Sequence, residues 1–81
     1  MAKSQFDVQF ARVGRFVKRH SARFRTAEIR VLSDFIQVDF RTADVVREFP
    51  DGSDEVIMFA EGGFIVIRCC FHIEDEKEDA K

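Results

Sequence analysis

Side chains that could bind a metal or act as nucleophiles concentrate near the C-terminal end of the sequence, where Cys69, Cys70 and His72 occur within four residues. On a strand, Cys70 and His72 would share one face while Cys69 points to the other, so at most two ligands could converge. A structural zinc ion takes four ligands, and the other histidine, His20, is far away in the sequence. Adjacent cysteines on one strand also form a disulfide only with strain. The sequence therefore predicts two free thiols and no metal site.

Motifs for phosphate binding or nucleophilic catalysis do not occur in the chain. The sequence contains neither a Gly-x-Ser-x-Gly segment nor a P-loop. Glu61-Gly62-Gly63 lacks the lysine and the following helix that phosphate binding requires, and is most simply a turn. A chain of 81 residues also has little room to enclose a catalytic pocket. These features predict a protein that is not an enzyme and uses no cofactor.

The charged residues divide the chain into a basic part and an acidic part. Residues 1–30 contain eight basic and two acidic residues, whereas residues 31–81 contain five basic and thirteen acidic residues. The candidate partner-binding face consists of Arg12, Arg15, Lys18, Arg19, Arg23 and Arg25. These side chains would suit nucleic-acid phosphates, an acidic protein surface or the acidic end of the chain itself. A pI of about 5.6 favours a protein over a nucleic acid as the partner.

The aromatic content consists of ten phenylalanines, without tryptophan or tyrosine. Aromatic rings that carry no polar group suit a core better than the tyrosine-rich surfaces of many binding sites. Phe16, Phe35 and Phe64 nevertheless fall opposite the apolar stripes of their own segments. We therefore expect these three rings to form an exposed patch or an interface.

The apolar residues favour a sheet, because fifteen valines and isoleucines accompany a single leucine, and branching at Cβ suits strands. Residues 64–73 alternate with a period of two, and Gly62-Gly63 separates them from the apolar run at 55–60. This pattern predicts a hairpin. Alternating segments at 28–33 and 35–41 predict a second hairpin. Residues 43–49 fit either a strand or one helical turn.

The first 25 residues fit either a helix or strands with a turn or bulge at Gly14. In a helix, Ser4 would cap the N-terminus with Asp7 three residues further on. The apolar face of that helix would consist of Phe6, Phe10, Val13 and Val17. A sheet with one apolar face needs a covering layer, so the helix is the preferred interpretation.

The predicted fold class is α+β. It consists of an antiparallel sheet of four or five strands, built as a meander of hairpins, with one N-terminal helix packed on one face. A small all-β barrel is the alternative. The predicted globular domain spans residues 1–73, and the acidic segment at 74–81 is expected to be a disordered tail.

These features together predict a non-catalytic binding or regulatory protein that acts through protein–protein contacts. An adaptor or a small inhibitor of a larger macromolecular partner, such as those of viral or mobile-element type, fits the small size. A nucleic-acid-binding protein that uses residues 12–25 is the alternative, and a homodimer is compatible with the sequence. No apolar stretch is long enough for a membrane span and the N-terminus lacks a signal-peptide core. With two free thiols, this predicts a cytoplasmic protein without membrane contact.

Overall fold

A computed structural model of the chain describes residues 4–73, and the predicted acidic tail at 74–81 lies outside the described residues. The helix α1 spans Gln5–His20, and a short 3-10 turn follows at Ser21–Arg23. The strands are β1 (Thr26–Val31), β2 (Phe35–Thr42), β3 (Glu55–Glu61) and β4 (Phe64–His72). The prediction of an α+β fold with one N-terminal helix and a four-stranded antiparallel sheet is confirmed.

The strands form one open sheet in the order β1-β2-β4-β3, with every neighbouring pair antiparallel. The two predicted hairpins are present, but they are not joined as a simple meander, because β4 rather than β3 pairs with β2. A long connection at residues 43–54 leads from β2 to β3, which forms the other edge of the sheet. The chain then turns back, and the apolar strand β4 lies between β2 and β3. The described sheet has two free edges, so the all-β barrel alternative is wrong.

The connections between the strands follow from local sequence. Gly62 and Gly63 have φ angles of +59° and +83°, which a tight two-residue hairpin turn requires and glycine adopts without a steric cost. Residues 43–49 form neither the strand nor the helical turn that their composition suggested. In this connection Val46 packs against the core and Pro50 is buried, so the segment closes one end of the domain.

Helix α1 begins as predicted, since the side-chain oxygen of Ser4 accepts a hydrogen bond from the Asp7 amide at 3.1 Å. Its buried face, however, differs from the predicted apolar face. The buried residues of α1 are Gln9, Val13, Phe16 and His20. Phe6 and Phe10 lie outside this face and are 38% and 49% exposed. The helix is therefore rotated away from its most apolar stripe.

Contacts at both ends of α1 explain this rotation. The Gln9 side chain donates a hydrogen bond of 2.7 Å to the His72 carbonyl, and the His20 ring lies 3.0 Å from the Asp51 carbonyl. Between them, the Phe16 ring packs edge-on against Phe71, with 4.9 Å between ring centroids. Two polar anchors and one well-fitted ring thus hold the helix over β2 and β4 in a single orientation.

The sheet face opposite α1, which we call the far face, is covered by its own side chains. Asp39 is only 3% exposed, and the guanidinium group of Arg68 binds both of its carboxylate oxygens at 2.9 and 3.0 Å. This hydrogen bonding to Asp39 raises the pKa of Arg68 above its ordinary value. Arg41 reaches Glu28 on β1 and Glu61 on β3, at 3.4 and 3.5 Å. Asp39 at the centre of the far face is thus buried and paired without a second covering layer.

The orientation of α1 predicts unequal effects of the same substitution at two positions. We expect Phe16→Ala to lower the free energy of unfolding by about 3–5 kcal/mol, because it leaves a cavity in the core. We expect Phe10→Ala to cost about 1 kcal/mol or less, since that ring is half exposed. Urea denaturation followed by circular dichroism measures both values. Equal losses would contradict the described orientation of the helix.

Candidate functional site

The six basic residues singled out in the sequence differ in their contacts. Arg12 binds the start of β3, with an ion pair of 3.1 Å to Asp54 and a hydrogen bond of 2.6 Å to the Gly52 carbonyl. Its guanidinium group also lies 4.9 Å from the centre of the Phe71 ring. Arg12 is therefore a structural link between α1 and the β3 side of the sheet.

The remaining basic residues point in different directions. Arg23 donates a hydrogen bond of 2.7 Å to the Glu48 carbonyl, and Arg25 lies 5.8 Å from the Phe64 ring on the far face. Arg15, Lys18 and Arg19 are exposed on α1. Arg15 and Arg19 border a surface pocket together with Arg12, so part of the basic face expected from the sequence is present on α1.

The three candidate interface aromatics also separate. Phe16 is 3% exposed in the core, which corrects its interpretation as an exposed ring. The helix rotation explains this difference, because Phe16 faces the sheet when Gln9 and His20 are anchored. Phe35 and Phe64 lie on the far face as expected, both partly exposed. Phe35 lies 6.5 Å from the His72 ring, measured between ring centroids.

The two cysteines are free thiols whose surroundings disfavour the reactive thiolate. Burial raises the pKa of Cys69 to about 11. Burial also raises the pKa of Cys70, which is half-buried on the far face. Both thiols therefore stay protonated near neutral pH.

Possible metal ligands are dispersed over the described part of the chain. Within residues 4–73, no three histidine, cysteine, aspartate or glutamate side chains approach one another closely enough to hold a metal ion. His72 lies 3.4 Å from Glu55 on the neighbouring strand, whereas His20 lies at the other end of α1. In the same residues, the helix is neither long nor apolar enough to cross a membrane.

Exposed apolar side chains occur on both α1 and the edge strand β1. A helix is about 10 Å across and strands are about 4.8 Å apart, so α1 covers about two strands, which are β2 and β4. Ile29 and Val31 of β1 share the helix-side face with the core residues of β2 but are 44% and 54% exposed. Phe6 and Phe10, whose rings stack at 5.5 Å, lie on the adjacent flank of α1.

The position of Arg12 indicates that this flank of α1 is directed towards the β1 side of the sheet. Arg12 faces β3 at one edge of the sheet. At 3.6 residues per turn, Phe6 and Phe10 lie about 120–160° around the helix from Arg12, and hence towards the opposite edge. We call the four residues Phe6, Phe10, Ile29 and Val31 the α1–β1 apolar surface.

The strand β1 also has an unpaired edge. Leu32 donates its N–H to the Phe35 carbonyl at 2.9 Å, and hydrogen-bonded pairs alternate along an antiparallel ladder. Glu28 and Arg30 therefore bond to β2, while the residues between them turn their backbone groups outward. These outward residues are Ala27, Ile29 and Val31. Within residues 4–73 no strand pairs with this side, and all six residues of β1 are exposed.

Sequence reasoning missed this site because it assigned Phe6 and Phe10 to the core of α1. A signal was present, since Gln9, Val13, Phe16 and His20 recur at spacings of four, three and four beside the more apolar stripe. Choosing between the two stripes requires the polar partners of Gln9 and His20, which come from distant segments.

Comparison with known proteins does not supply a function. No family model, curated protein or solved structure matches this chain. The geometry of the α1–β1 apolar surface and the free edge of β1 therefore carries the functional inference.

The ion pair between Arg12 and Asp54 predicts a pH-dependent contribution to stability. Partial burial by itself would raise the pKa of Asp54. The hydrogen bonds from the His72 amide and the Arg12 guanidinium, together with the positive charges of the Arg12 and His72 side chains, outweigh this effect and lower the pKa of Asp54 below its ordinary 3.8. A lowered pKa stabilises the folded state above pH 3.8, and this contribution is lost as the pH falls further.

We expect the stability difference between the unsubstituted protein and Asp54→Asn to be larger at pH 6 than at pH 3. Urea denaturation at both pH values measures it, and Asp44→Asn, at an exposed position in the 43–54 connection, is the matched control. A difference that grows as the pH falls would contradict the assignment.

Burial of the thiols predicts slow chemical labelling. With a pKa of about 11, roughly one Cys69 thiol in a thousand is ionised at pH 8. We expect Cys70→Ser, which retains only Cys69, to react with an aromatic disulfide reagent far more slowly when folded than in urea. Cys69→Ser retains only Cys70, whose half-buried thiol should react faster than the folded Cys69 thiol but more slowly than a thiol in urea. Equal labelling of Cys69 in the folded and unfolded protein would contradict its burial.

Proposed function

We propose that this chain is a non-catalytic binding protein that acts through contacts with other proteins. The contact element is the free edge of β1 together with the α1–β1 apolar surface. The observation that carries the proposal is the outward row of backbone groups at Ala27, Ile29 and Val31, which no strand within residues 4–73 pairs. An exposed strand edge is a template for pairing with another chain.

The chemistry of the site defines the partner that fits it. A partner segment that adds to β1 must be extended, so that its backbone groups pair with the edge. Its alternate side chains would lie on the helix-side face, next to Ile29 and Val31. Phe6 and Phe10 would flank them with their exposed rings. The partner is therefore a protein with an apolar, strand-forming segment.

Further features of the chain support a binding role over catalysis. The thiols are held protonated by burial, and His20 is engaged with the Asp51 carbonyl. Free thiols suit a reducing cytoplasm, which we propose as the location of the protein. The small size and exposed edge are those of an adaptor or a small inhibitor that occupies a strand-binding groove of a larger partner.

The nucleic-acid alternative has weaker support. A phosphate-binding surface needs several basic side chains free on one face. Arg12 and Arg23 instead bind Asp54 and the Glu48 carbonyl, and Arg25 lies against Phe64.

Substitution at the two sheet edges tests the proposed function. We expect Ile29→Lys to weaken binding of a captured partner about tenfold or more, because it places a charge in the apolar contact. Met58→Lys is the matched control, because Met58 lies in the other edge strand, β3, and is similarly exposed. This variant should bind the partner with unchanged affinity. Isothermal titration with the isolated partner measures both affinities.

The partner is first captured from a native lysate with and without nuclease, at low and moderate salt. The proposal requires capture that survives nuclease and moderate salt and depends on Ile29. Binding that disappears with nuclease and falls with Arg15→Glu instead of Ile29→Lys would establish the nucleic-acid alternative, whereas nuclease-resistant binding that depends on Arg15 would contradict the β1 edge as the contact element.

A further inference from the structure

We infer that the β1 edge binds a second copy of this chain, strand to strand, across a twofold axis through Ile29. This inference rests on the proposed function, because it names a partner for the same site. Antiparallel pairing of two β1 strands would join the two four-stranded sheets into one continuous sheet. Charge along the strand, the pattern of outward backbone groups and the exposed apolar row all support this arrangement.

Charge selects the register of the pair. Because alternate residues of β1 face outward, symmetric pairing near the middle of the strand is centred on Glu28, Ile29 or Arg30. Centring on Glu28 opposes two carboxylates, and centring on Arg30 opposes two guanidinium groups, and both arrangements are unfavourable. Centring on Ile29 places Glu28 of each copy opposite Arg30 of the other. This is the register in which the charges attract.

The backbone fits the same register. Ile29 would pair with Ile29 of the second copy, and Ala27 with Val31, so that about six outward N–H and C=O groups of each copy are satisfied. Glu28 and Arg30 then occupy positions without hydrogen bonds across the seam, where opposing Cα atoms approach to about 4.5 Å. Their side chains are 47% and 60% exposed, so both are accessible to the second copy.

The side chains on the helix-side face are also complementary. Ala27, Ile29 and Val31 would form one continuous apolar row with their counterparts, with two Ile29 side chains at its centre. In the single chain, Ile29 and Val31 are about half exposed. Pairing removes this apolar area from water.

The other edge of the sheet does not share these properties. The corresponding twofold pairing of β3, centred on Met58, would place Glu55 of each copy opposite Glu61 of the other. Like charges directly opposite each other destabilise a strand pair. Charged residues at an edge strand are a common protection against pairing. In addition, β3 contains no basic residue that could pair with Glu55 or Glu61 in any register. The two edges are thus chemically distinct, since only β1 combines an acidic and a basic residue.

Charge reversal tests the register. Because one strand pair makes a small interface, we expect the unsubstituted protein to dissociate on dilution in sedimentation velocity experiments. Glu28→Arg and Arg30→Glu should each raise the dissociation constant about tenfold or more, since each creates like-charge pairs. An equimolar mixture of the two variants should associate again, because their charges are complementary. Circular dichroism confirms that each variant is folded.

Hydrogen exchange supplies a second readout that does not depend on substitutions. The amides of Ala27, Ile29 and Val31 should gain protection as the protein concentration rises, whereas those of Glu28 and Arg30 are protected at every concentration by β2. Concentration-independent exchange of the three outward amides would overturn the inference.

The remaining outcomes separate this inference from the proposed function. The twofold pairing would be overturned by any of three results. The protein could be a monomer at all concentrations, both single variants could leave the dimer intact, or the mixture of the two variants could fail to associate. In those cases Ile29-dependent capture of a different protein would leave the proposed function standing. Loss of both self-association and Ile29-dependent capture would overturn both.

Discussion

A single helix is too narrow to cover four strands, and the architecture of this protein follows from that mismatch. The helix α1 is placed over β2 and β4, where the completely buried side chains of the sheet are concentrated. Most helix-side residues of the outer strands are left in solvent, although Val56 of β3 packs against the core. One outer strand, β1, carries Ile29 and Val31 on that side. Apolar residues are therefore exposed because one helix has to cover four strands.

The orientation of the helix determines which flank is exposed. Arg12 ties α1 to Asp54 and Gly52 at the β3 side, and Gln9 and His20 anchor its two ends to backbone carbonyls. These polar contacts hold the helix in a rotation that its apolar pattern alone would not favour. Phe6 and Phe10 are displaced towards β1 as a result. Stability and the candidate interaction surface thus have the same physical origin.

The two edges and the two faces of the sheet have different chemistry. The far face is closed by ion pairs among its own residues, with Asp39 buried beneath Arg68. The β3 strand begins at Glu55 and ends at Glu61, and it has no basic residue to pair with these carboxylates in a second copy. In the β1 edge, the acidic Glu28 precedes Ile29 and the basic Arg30 follows it. An acid and a base around a central apolar residue are complementary to their own antiparallel copy.

The elements that depend on local chemistry could be predicted from the amino-acid sequence. These are the Ser4 cap, the Gly62-Gly63 turn, the two hairpins and the preference for sheet. The fold was needed to establish the position of β4 between β2 and β3, the rotation of α1, the burial of Phe16 and the contacts of Arg12. Local features follow from neighbouring residues and their backbone preferences. The others depend on partners such as His72 and Asp51, which lie more than 30 residues away from the helix residues they hold.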